Sequence, residues 1–494
     1  MTMEILSNAQ MRAADAAAIA EGVPGIDLME AAGAACADAI IERWPGRRVV
    51  VACGPGNNGG DGFVIAHKLA THGYQVALGL LGDKKNLSGD AAIAASQWSG
   101  EVSTLADLEL DEDCVLVDAL FGTGLSRPIE GEARAFLERV RKINPRVLAV
   151  DLPSGLNGDA AQLGGVYVRA DLTVTFVRKK PVHILEPSAS ACGAVRVANI
   201  GVRDEIIQGL NVQIAENDPS LWRHKLVWPN TGSHKHQRGR LAVATGGVGQ
   251  TGAARLAARA GLRVGAGLVT LLTPPSALMV AAAASTSVMT ESIADADAIV
   301  TATSRSTVVV IGPSAGVSDA TRDKVLALAN AGRSLVLDAD ALTVFASDPD
   351  VLFSALPTSA VLTPHQGEFD RLFPGVATSA TNKIAAVQEA ARRSGAIVLL
   401  KGADTVMASP SGQSIVNTHA SPFLATAGSG DVLAGLIGGL MAQGVDPFEA
   451  ACAAAWMHGD IGVRLGPGLI AEDLCDALPQ TLKALYEAAA VPSR

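Results

Sequence analysis

Hydrophobic runs alternate with amphipathic stretches through the first half of the chain. Short apolar segments rich in β-branched residues are separated by helical patterns, and such segments are typical of strands buried on both faces. Two amphipathic helices, at Asn8 to Ala20 and Ile26 to Arg43, precede the first strand. The predicted strands are Arg48 to Cys53, Tyr74 to Leu81, Cys114 to Ala119, Arg146 to Asp151 and Leu172 to Val177. This half is therefore predicted to form a parallel sheet covered by helices on both faces.

The alternation of strand and helix patterns stops between about Glu216 and Arg238, where prolines, polar residues and a local basic cluster predict the linker and the entry to a second domain. A second α/β series starts at Arg240, and its spacing does not repeat the first. We expect two domains, residues 1–215 and 225–494, a number that suits 494 residues. Strands of the second domain are predicted at Gly267 to Leu272, Val308 to Ile311, Ser334 to Leu337, Ser359 to Leu362 and Ala396 to Leu400.

Composition narrows the class of protein. The net charge of −10 gives no general attraction to nucleic acid or an anionic membrane, so neither is expected as a partner. No secretory signal and no apolar run of membrane-spanning length is visible. The 6 cysteines form no CxxC pair, which favours buried, reduced thiols in a cytoplasmic protein. The sequence allows a homo-oligomer but does not set the number of subunits.

The first candidate site is the loop GPGNNGGDG, which starts at Gly54 and lies between a predicted strand and a helix. Its five glycines allow close approach of the backbone to a ligand, and the helix N-terminus favours phosphate. An ordinary strand-to-helix turn also uses glycine, but it needs neither the Asn57–Asn58 pair nor Asp61. The Rossmann dinucleotide fingerprint does not apply, because no acidic strand end follows at about twenty residues.

Two more polar loops follow strands, DALFGTGLSRP from Asp118 and DLPSGLNGD from Asp151. Each acid alone is as consistent with a helix cap or loop residue as with a site. Successive parallel strands place their carboxyl ends at one edge, however, and that is where open α/β sheets bind ligands. The three loops together therefore predict a shared site.

These three loops, in this order, resemble the NAD(P)H-hydrate epimerase family over roughly residues 8 to 212. The resemblance implies a Rossmann-like domain, a hydrated dinucleotide as ligand, and a potassium ion held by Asn58, Asp118 and Ser154. Amide, carboxylate and hydroxyl oxygens suit such a hard cation. It implies contacts to the dinucleotide from Asn57, Asn58, Gly59, Gly60, Asp61, Gly122, Thr123, Gly124, Leu125, Ser126, Arg127, Pro128 and Asp151. Asp151 is the candidate for proton transfer at C6 of the ring, with a purely orienting role as the alternative.

In the second half, TAGSGD precedes an apolar helical pattern that begins at Val432. Gly428, Ser429 and Gly430 thus lie at a helix N-terminus, where unpaired N–H groups bind phosphate. Asp431 either complements the helix dipole or accepts a proton from a hydroxyl that attacks phosphorus. This arrangement resembles the ribokinase-like superfamily.

Further loops narrow the resemblance: GPSAG from Gly312, TPHQGE from Thr363, KGADT from Lys401 and HGDIG from His458. Together they resemble the ADP- or ATP-dependent NAD(P)H-hydrate dehydratases over about residues 235 to 485. The resemblance implies dinucleotide contacts from Ala253, Gly316, His365 and Asp431, with Asp431 catalytic, and ADP contacts from Lys401, Gly402, Ala403, Asp404, Thr405, Gly428, Ser429 and Gly430. Mg²⁺ would accompany ADP, with ligands that the sequence does not assign.

Two positions depart from the family pattern, in which GPGLG and GGSGD are usual. Ser314 replaces a glycine, which casts doubt on a close backbone approach there, and Ala427 is tolerable if its φ is negative. The implied function is reclamation of hydrated NADH and NADPH. The rival functions are a small-molecule kinase, which shares the GSGD helix start, and a binding module in the first half.

Overall fold

The computed structural model describes residues 3–125, 128–163 and 165–490. It divides into two compact units, Met1–Val212 and Gln213–Arg494. All six cysteines are unpaired and buried, as the sequence predicts. Across these described ranges, no helix has both the length and the apolar character that crossing a membrane requires.

The first unit contains, within its described residues, a seven-stranded sheet in the order β3-β2-β1-β4-β5-β6-β7 with every neighbouring pair parallel. The order reverses between β1 and β4, and ligands of open α/β sheets bind at such a reversal. The strands are Val49–Cys53 (β1), Val76–Leu80 (β2), Ser103–Thr104 (β3), Val115–Ala119 (β4), Arg146–Val150 (β5), Leu172–Phe176 (β6) and Ala194–Ala198 (β7). The helices are Asn8–Ala20 (α1), Gly25–Arg43 (α2), Asn57–Thr71 (α3), Gly89–Gln97 (α4), Gly131–Ile143 (α5), Ala189–Cys192 (α6) and Asp204–Gly209 (α7).

Strand β1 shows why its sequence reads as a continuous apolar run. Val49 and Val51 belong to a core that includes residues of α1, α2 and α3, whereas Val50 and Ala52 belong to a second core that includes residues of α5. Side chains alternate across a strand, so a strand covered on both faces needs apolar residues throughout. The expected α/β domain with two covered faces is confirmed.

The second unit has, in its described part, a ten-stranded sheet in the order β11-β10-β9-β12-β13-β14-β15-β16-β17-β8. It is parallel from β11 to β15, and β16 pairs antiparallel with both β15 and β17. The strands are Ile214–Glu216 (β8), Arg240–Ala244 (β9), Leu268–Thr273 (β10), Met289–Ser292 (β11), Val308–Ile311 (β12), Ser334–Leu337 (β13), Val361–Leu362 (β14), Ile397–Leu400 (β15), Thr405–Ala408 (β16) and Ser414–Asn417 (β17).

The helices of this unit lie between and after these strands. They are Pro219–Trp222 (α8), Gly252–Val264 (α9), Leu278–Ala283 (α10), Ala296–Ala302 (α11), Asp319–Asn330 (α12), Asp340–Thr343 (α13), Pro349–Ala355 (α14), Gln366–Leu372 (α15), Val376–Ser379 (α16), Lys383–Ser394 (α17), Ser429–Ala442 (α18), Pro447–Leu465 (α19) and Ala471–Ala490 (α20).

The segment interpreted as a linker is structured at its start. Strand β8 pairs with β17, and Trp222 is 2% exposed in the core of the second unit. The polar residue Asn217 is buried, where its Nδ2 donates to Asn417 Oδ1 (2.9 Å) and its Oδ1 accepts from Trp222 Nε1 (2.9 Å). These residues form the start of the second unit, which begins at Gln213.

Helices α9 and α18 pack backbone to backbone. A Cβ added to Gly435 would lie 2.1 Å from the Ala257 carbonyl oxygen, and one added to Gly439 would lie 2.7 Å from that of Gly261. Only glycine permits this approach. The close packing fixes the N-terminus of α18, and with it the loop that precedes Asp431.

Candidate active sites

The glycine loop of the first unit is held against the loop that follows β4. A Cβ on Gly54 would lie 1.8 Å from the Leu120 carbonyl oxygen, and one on Gly59 would lie 1.8 Å from that of Gly54. Gly56 faces open space instead. Two of the glycines are thus required by contacts within the protein, in addition to any contact with a ligand.

Asp118, at the end of β4, is 1% exposed and holds the loop that follows β5. Its Oδ2 accepts from Ser154 N (2.7 Å) and its Oδ1 from Ser154 Oγ (2.6 Å). Burial raises the pKa of Asp118 to about 6, against the effect of the bonds from Ser154. The structure therefore brings together two of the three residues expected to bind potassium.

Asn58 lies on the other side of the loop that begins at Gly122. A Cβ on Gly122 would lie 3.0 Å from Asn58 Oδ1 and 3.6 Å from Asp151 Oδ2, so these two side chains flank the same glycine. The Nδ2 of Asn58 is buried and has no hydrogen-bond partner in the described structure. A buried amide without a partner is costly and is typical of a site that awaits a ligand.

Asp151 has a positive φ of 65°, a conformation that costs a non-glycine residue free energy and occurs often at functional sites. Its Oδ1 accepts from Lys180 Nζ (2.6 Å) and Thr175 Oγ1 (2.9 Å). Burial acts to raise the pKa of Asp151, but Lys180 outweighs burial and the pKa is lowered. Asp151 is thus a carboxylate at neutral pH.

Sequence reasoning missed Lys180, which is 1% exposed, and Asp15, whereas Asp61 was expected to contact the dinucleotide. Burial raises the pKa of Asp61 well above its usual range, with Asp151 and Asp15 adding to the effect. Burial likewise raises the pKa of Asp15, on α1, to about 6. Nothing in the sequence distinguishes Lys180 from an exposed lysine.

The loop after β4 is described only in part. Gly122, Thr123, Gly124 and Leu125 precede the gap, and Pro128 follows it, while Ser126 and Arg127 lie outside the described residues. Thr123 O accepts from Asn8 Nδ2 (3.5 Å), which joins this loop to α1.

In the second unit, α18 starts as predicted. Gly428 precedes it with a φ of 87°, and no side chain caps its first turn. A Cβ on Gly428 would lie 2.8 Å from Leu256 Cδ1 and 2.8 Å from Ala471 Cβ. The N-terminal ends of α9, α18 and α20 thus meet at one glycine, and helix N-termini favour anions.

Asp431 is the third residue of α18, close to the N–H groups of the first turn. Burial and the nearby Asp338 raise its pKa to about 6, although Lys401 acts to lower it. An acid that only complemented the helix dipole would have a lowered pKa. The raised value favours a proton-transfer role over capping.

Lys401 lies beside the same loop, 3.4 Å from the position of a Cβ on Gly430. Its Nζ donates to Asp338 Oδ1 (2.7 Å), and Thr363 Oγ1 donates to the same oxygen (2.9 Å). Asp338, 2% exposed at the end of β13, was missed by sequence reasoning. It sits in the unremarkable string LDAD, and only the fold places it beside Lys401.

The KGADT loop is held by Lys383 of α17 and by a bond between two of its own residues. Lys383 Nζ donates to Asp404 Oδ1 (2.7 Å) and to Asp404 O (2.9 Å), and Thr405 Oγ1 donates to Gly402 O (2.9 Å). Gly402 and Ala403 are exposed. These exposed residues are therefore the part of the loop best placed to touch a nucleotide.

His365 caps α15, where its Nδ1 accepts from Glu368 N (3.2 Å) and the Glu368 carboxylate accepts from His365 N (2.9 Å). The His365 side chain is 56% exposed, so its outer edge is open to a ligand. Gly316, whose N donates to Asp340 Oδ2 (2.8 Å), and Ala253, in the first turn of α9, lie on other loops at this sheet edge.

The two departures from the family pattern, Ser314 and Ala427, differ in their effect on the backbone. Ser314 has a φ of +55°, and its carbonyl oxygen would lie 1.9 Å from a Cβ on Gly246. The backbone of Ser314 therefore still approaches Gly246 closely, and Ser314 adopts a left-handed conformation that is strained for a residue other than glycine. Ala427 is absent from the residues of positive φ, so its methyl group causes no backbone conflict.

His458 connects α19 to the anion loop. Its Nε2 lies 2.9 Å from Ser429 Oγ and 3.1 Å from Ser429 O. Burial lowers the pKa of His458 to about 4. A neutral histidine therefore positions the first residue of α18, as expected if HGDIG belongs to the site.

No cluster of three His, Cys, Asp or Glu side chains able to hold a metal occurs among the described residues. That finding does not bear on the potassium site, because Asp118 is the only one of its three expected ligands that is a His, Cys, Asp or Glu.

Comparison with known proteins gives one consistent result. The profile described as NAD(P)H-hydrate dehydratase matches residues 241–480, and that described as YjeF-related protein N-terminus matches residues 25–182. Among solved structures, a ribokinase-like superfamily protein from Enterococcus faecalis is 24% identical with a TM-score of 0.48, covering 55% of this chain and 96% of that one.

Full-length relatives settle the family. The bifunctional NAD(P)H-hydrate repair enzyme Nnr of Moorella thermoacetica is 35% identical over 98% of this chain and 98% of its own. That of Coxiella burnetii is 33% identical over 95% of this chain and 97% of its own. The chain belongs to the family of bifunctional NAD(P)H-hydrate repair enzymes.

Proposed function

We propose that this protein repairs hydrated NADH and NADPH: the first unit interconverts their R and S epimers, and the second dehydrates the S epimer with ADP. The products are NAD(P)H, AMP and inorganic phosphate. The reaction is proposed to run in the cytoplasm, a location that suits six unpaired buried cysteines. The observation that carries the proposal is Asp431, raised in pKa beside a helix N-terminus and Lys401.

The dehydration follows from the geometry around α18. Hydroxide is a poor leaving group, so the C6 hydroxyl of the hydrated ring is first phosphorylated. Asp431 accepts the hydroxyl proton as its oxygen attacks the β-phosphorus of ADP, and AMP leaves. The N–H groups after Gly428 and the Lys401 ammonium bind the phosphoryl oxygens. The ring nitrogen then donates its electron pair, the C6–O bond breaks, and phosphate departs. Loss of a proton from C5 to water returns the electron pair to nitrogen and forms the C5=C6 double bond of NAD(P)H.

A base with a pKa of about 6 suits this role. It is mostly ionised at neutral pH yet still accepts a proton in the transition state. Lys401 does not neutralise Asp431, because its Nζ is bonded to Asp338. Asp431 therefore remains available to the substrate hydroxyl.

Mg²⁺ is proposed to accompany ADP. Since no cluster of three protein ligands occurs among the described residues, the ion would bind chiefly to phosphate oxygens and water, as Mg²⁺ commonly does. It would neutralise charge on the phosphates.

For the first unit, we propose that Asp151 moves the proton of epimerisation. The ring C6–N bond opens with its electron pair going to nitrogen, and Asp151 accepts the hydroxyl proton as the C6 carbonyl forms. Reclosure on the opposite face returns the proton to oxygen. Lys180, 2.6 Å from Asp151, keeps the carboxylate ionised and oriented.

Potassium is proposed to bind Asn58, Asp118 and Ser154. The residues fit, because Asn58 offers an amide oxygen beside Gly122 and Asp118 is a buried carboxyl with no salt bridge in the described part of the chain. A cation would favour the ionised form of Asp118. Protection against thermal unfolding by K⁺ and not by Na⁺ would test this site without an activity assay.

The test of function is direct. Purified protein with ADP, Mg²⁺ and K⁺ should convert mixed hydrated NADH epimers to NADH, followed by recovery of reduced-nicotinamide absorbance. Asp431→Ala should lose dehydration, and Asp151→Ala should rapidly convert only the S fraction. Phosphorylation of a vitamin-precursor alcohol in place of dehydration would instead indicate a small-molecule kinase.

A further inference from the structure

A cleft of about 800 Å³ lies along the outer face of α9 in the second unit, a volume typical of small-molecule sites. Its lining includes Arg238, Arg255, Arg259 and Arg263, with Glu472 as an acidic member. Four arginines in one cleft are unusual on a chain of net charge −10. The local charge favours an anionic occupant.

Three of these arginines form a stripe. Arg255, Arg259 and Arg263 are spaced by four residues, so they share a helix face about 6 Å apart and span about 12 Å. Like charges at this spacing disfavour a helix, and Arg255 also lies near the positive end of the helix dipole. Bound anions would relieve this repulsion.

The protein itself neutralises only part of the stripe. Asp476 on α20 accepts from Arg259 Nη2 (2.5 Å) and lies 3.3 Å from Arg263 Nη2, so one carboxylate serves two guanidinium groups. In the described ranges, no ion pair reaches Arg255. The Nε of Arg238 is buried without a hydrogen-bond partner. Donors of the cleft are thus left for a ligand.

The cleft adjoins the Asp431 loop. Leu256 lines the cleft, and its Cδ1 lies 2.8 Å from the position of a Cβ on Gly428. Glu472, also in the lining, follows Ala471, which is equally close to Gly428. The end of the cleft at Leu256 and Glu472 is therefore next to the side chains that pack against Gly428, and the arginine stripe leads away from that end.

We propose that this cleft binds the phosphates in the adenosine half of the hydrated dinucleotide, with Arg255 on the pyrophosphate and Arg263 on the ribose 2′-phosphate. The inference rests on the proposed dehydratase function. It assigns a specificity determinant: Arg263, at the far end, makes the second unit favour hydrated NADPH over hydrated NADH.

The test compares Arg255→Gln and Arg263→Gln with Arg305→Gln, an exposed arginine after α11 that does not line the cleft. KM is measured for the S epimers of hydrated NADPH and hydrated NADH at saturating ADP. Arg255→Gln should raise both KM values about tenfold, the loss expected for one charge-assisted phosphate contact. Arg263→Gln should raise only that of hydrated NADPH by a similar factor, and Arg305→Gln neither.

A binding measurement separates this inference from the proposed function. Adenosine 2′,5′-bisphosphate, measured by calorimetry, should bind the wild type and lose about tenfold in affinity with Arg263→Gln. Unchanged KM values in both variants, or a rise in KM for ADP instead, would overturn the cleft assignment while leaving dehydration intact. Absence of ADP-dependent turnover by the wild type would overturn the function itself.

Discussion

Each unit places an aspartate and a lysine beside a glycine loop, but the pKa of the aspartate is lowered in the first unit and raised in the second. In the first unit, Lys180 bonds directly to Asp151 and lowers its pKa. In the second, Lys401 bonds to Asp338, and Asp431 remains a separate acid with a pKa of about 6. Burial acts to raise the pKa of both acids, and only the acid bonded directly to a lysine has a lowered pKa.

This difference suits the two proposed reactions. Epimerisation returns the proton that it takes, so a persistently ionised carboxylate held in place by Lys180 is sufficient. Phosphoryl transfer needs a base that gains a proton as the hydroxyl attacks, and a pKa nearer to neutrality favours that step. The predictions below test the contrast.

The largest effect is expected for Asp431→Asn, which keeps the size of the side chain but removes the base. Dehydration should fall by roughly a thousandfold, within the range for loss of a general base. The measurement is kcat with the S epimer at saturating ADP. Interconversion of the epimers, followed by chromatography, serves as the control and should be unchanged; a fall in both activities would point to misfolding.

Lys180→Met should destabilise the first unit by about 3 kcal/mol, because it leaves the Asp151 carboxylate buried without its cation. Thermal unfolding followed by calorimetry should show an earlier transition for that unit only. Lys180→Met combined with Asp151→Asn should recover part of the loss. If Lys180→Met alone is as stable as the wild type, the ion pair between Lys180 and Asp151 does not stabilise the first unit.

The pH profiles should differ between the activities. Dehydration should increase as pH rises through about 6, since Asp431 accepts a proton only in its ionised form. Asp151 should cause no change in epimerisation above about pH 5, because its pKa lies below the ordinary aspartate value of about 3.9. A change in epimerisation near pH 6 would instead report Asp118 or Asp15, whose pKa values are raised to about 6.

The Asp338→Asn variant tests whether Asp338 raises the pKa of Asp431. Removing the charge of Asp338 should lower the pKa of Asp431 and move the acid limb of dehydration to lower pH. The epimerisation profile is the internal control. If the acid limb of the dehydration profile stays in place or moves to higher pH, Asp338 is not the group that raises the pKa of Asp431.

The smallest effect concerns Ser314→Gly in the second unit. Relief of the positive φ should raise stability by up to about 1 kcal/mol, with part offset by the greater freedom of glycine in the unfolded chain. Urea unfolding provides the measurement. Ser354→Gly, in α14, is the matched control and should destabilise, so a loss in both variants would show that strain at Ser314 is negligible.

The central strands of both sheets could be predicted because each is a short apolar run covered by helices on both faces. The edge strands β7 and β11 were not predicted, because they are largely exposed and carry polar residues. Strands β16 and β17 were also missed although they are buried, and β17 has only two consecutive apolar residues, Ile415 and Val416. A pattern that short does not separate a strand from a buried turn.

The loops of both sites were visible because glycines and acids follow strand ends. Their electrostatic partners were not, because Lys180 meets Asp151 and Lys401 meets Asp338 only through the order of the strands. The sequence separation is 29 residues in the first pair and 63 in the second. No local pattern encodes such a contact, and these partners act together with burial on the pKa of each acid.

The most direct test follows the C6 hydroxyl oxygen. S-epimer substrate carrying oxygen-18 at that hydroxyl is dehydrated by the wild-type protein with unlabelled ADP, and the released phosphate is analysed by mass spectrometry. If Asp431 activates this hydroxyl for attack on phosphorus, one labelled oxygen should appear in inorganic phosphate. Label found in water instead would contradict the account.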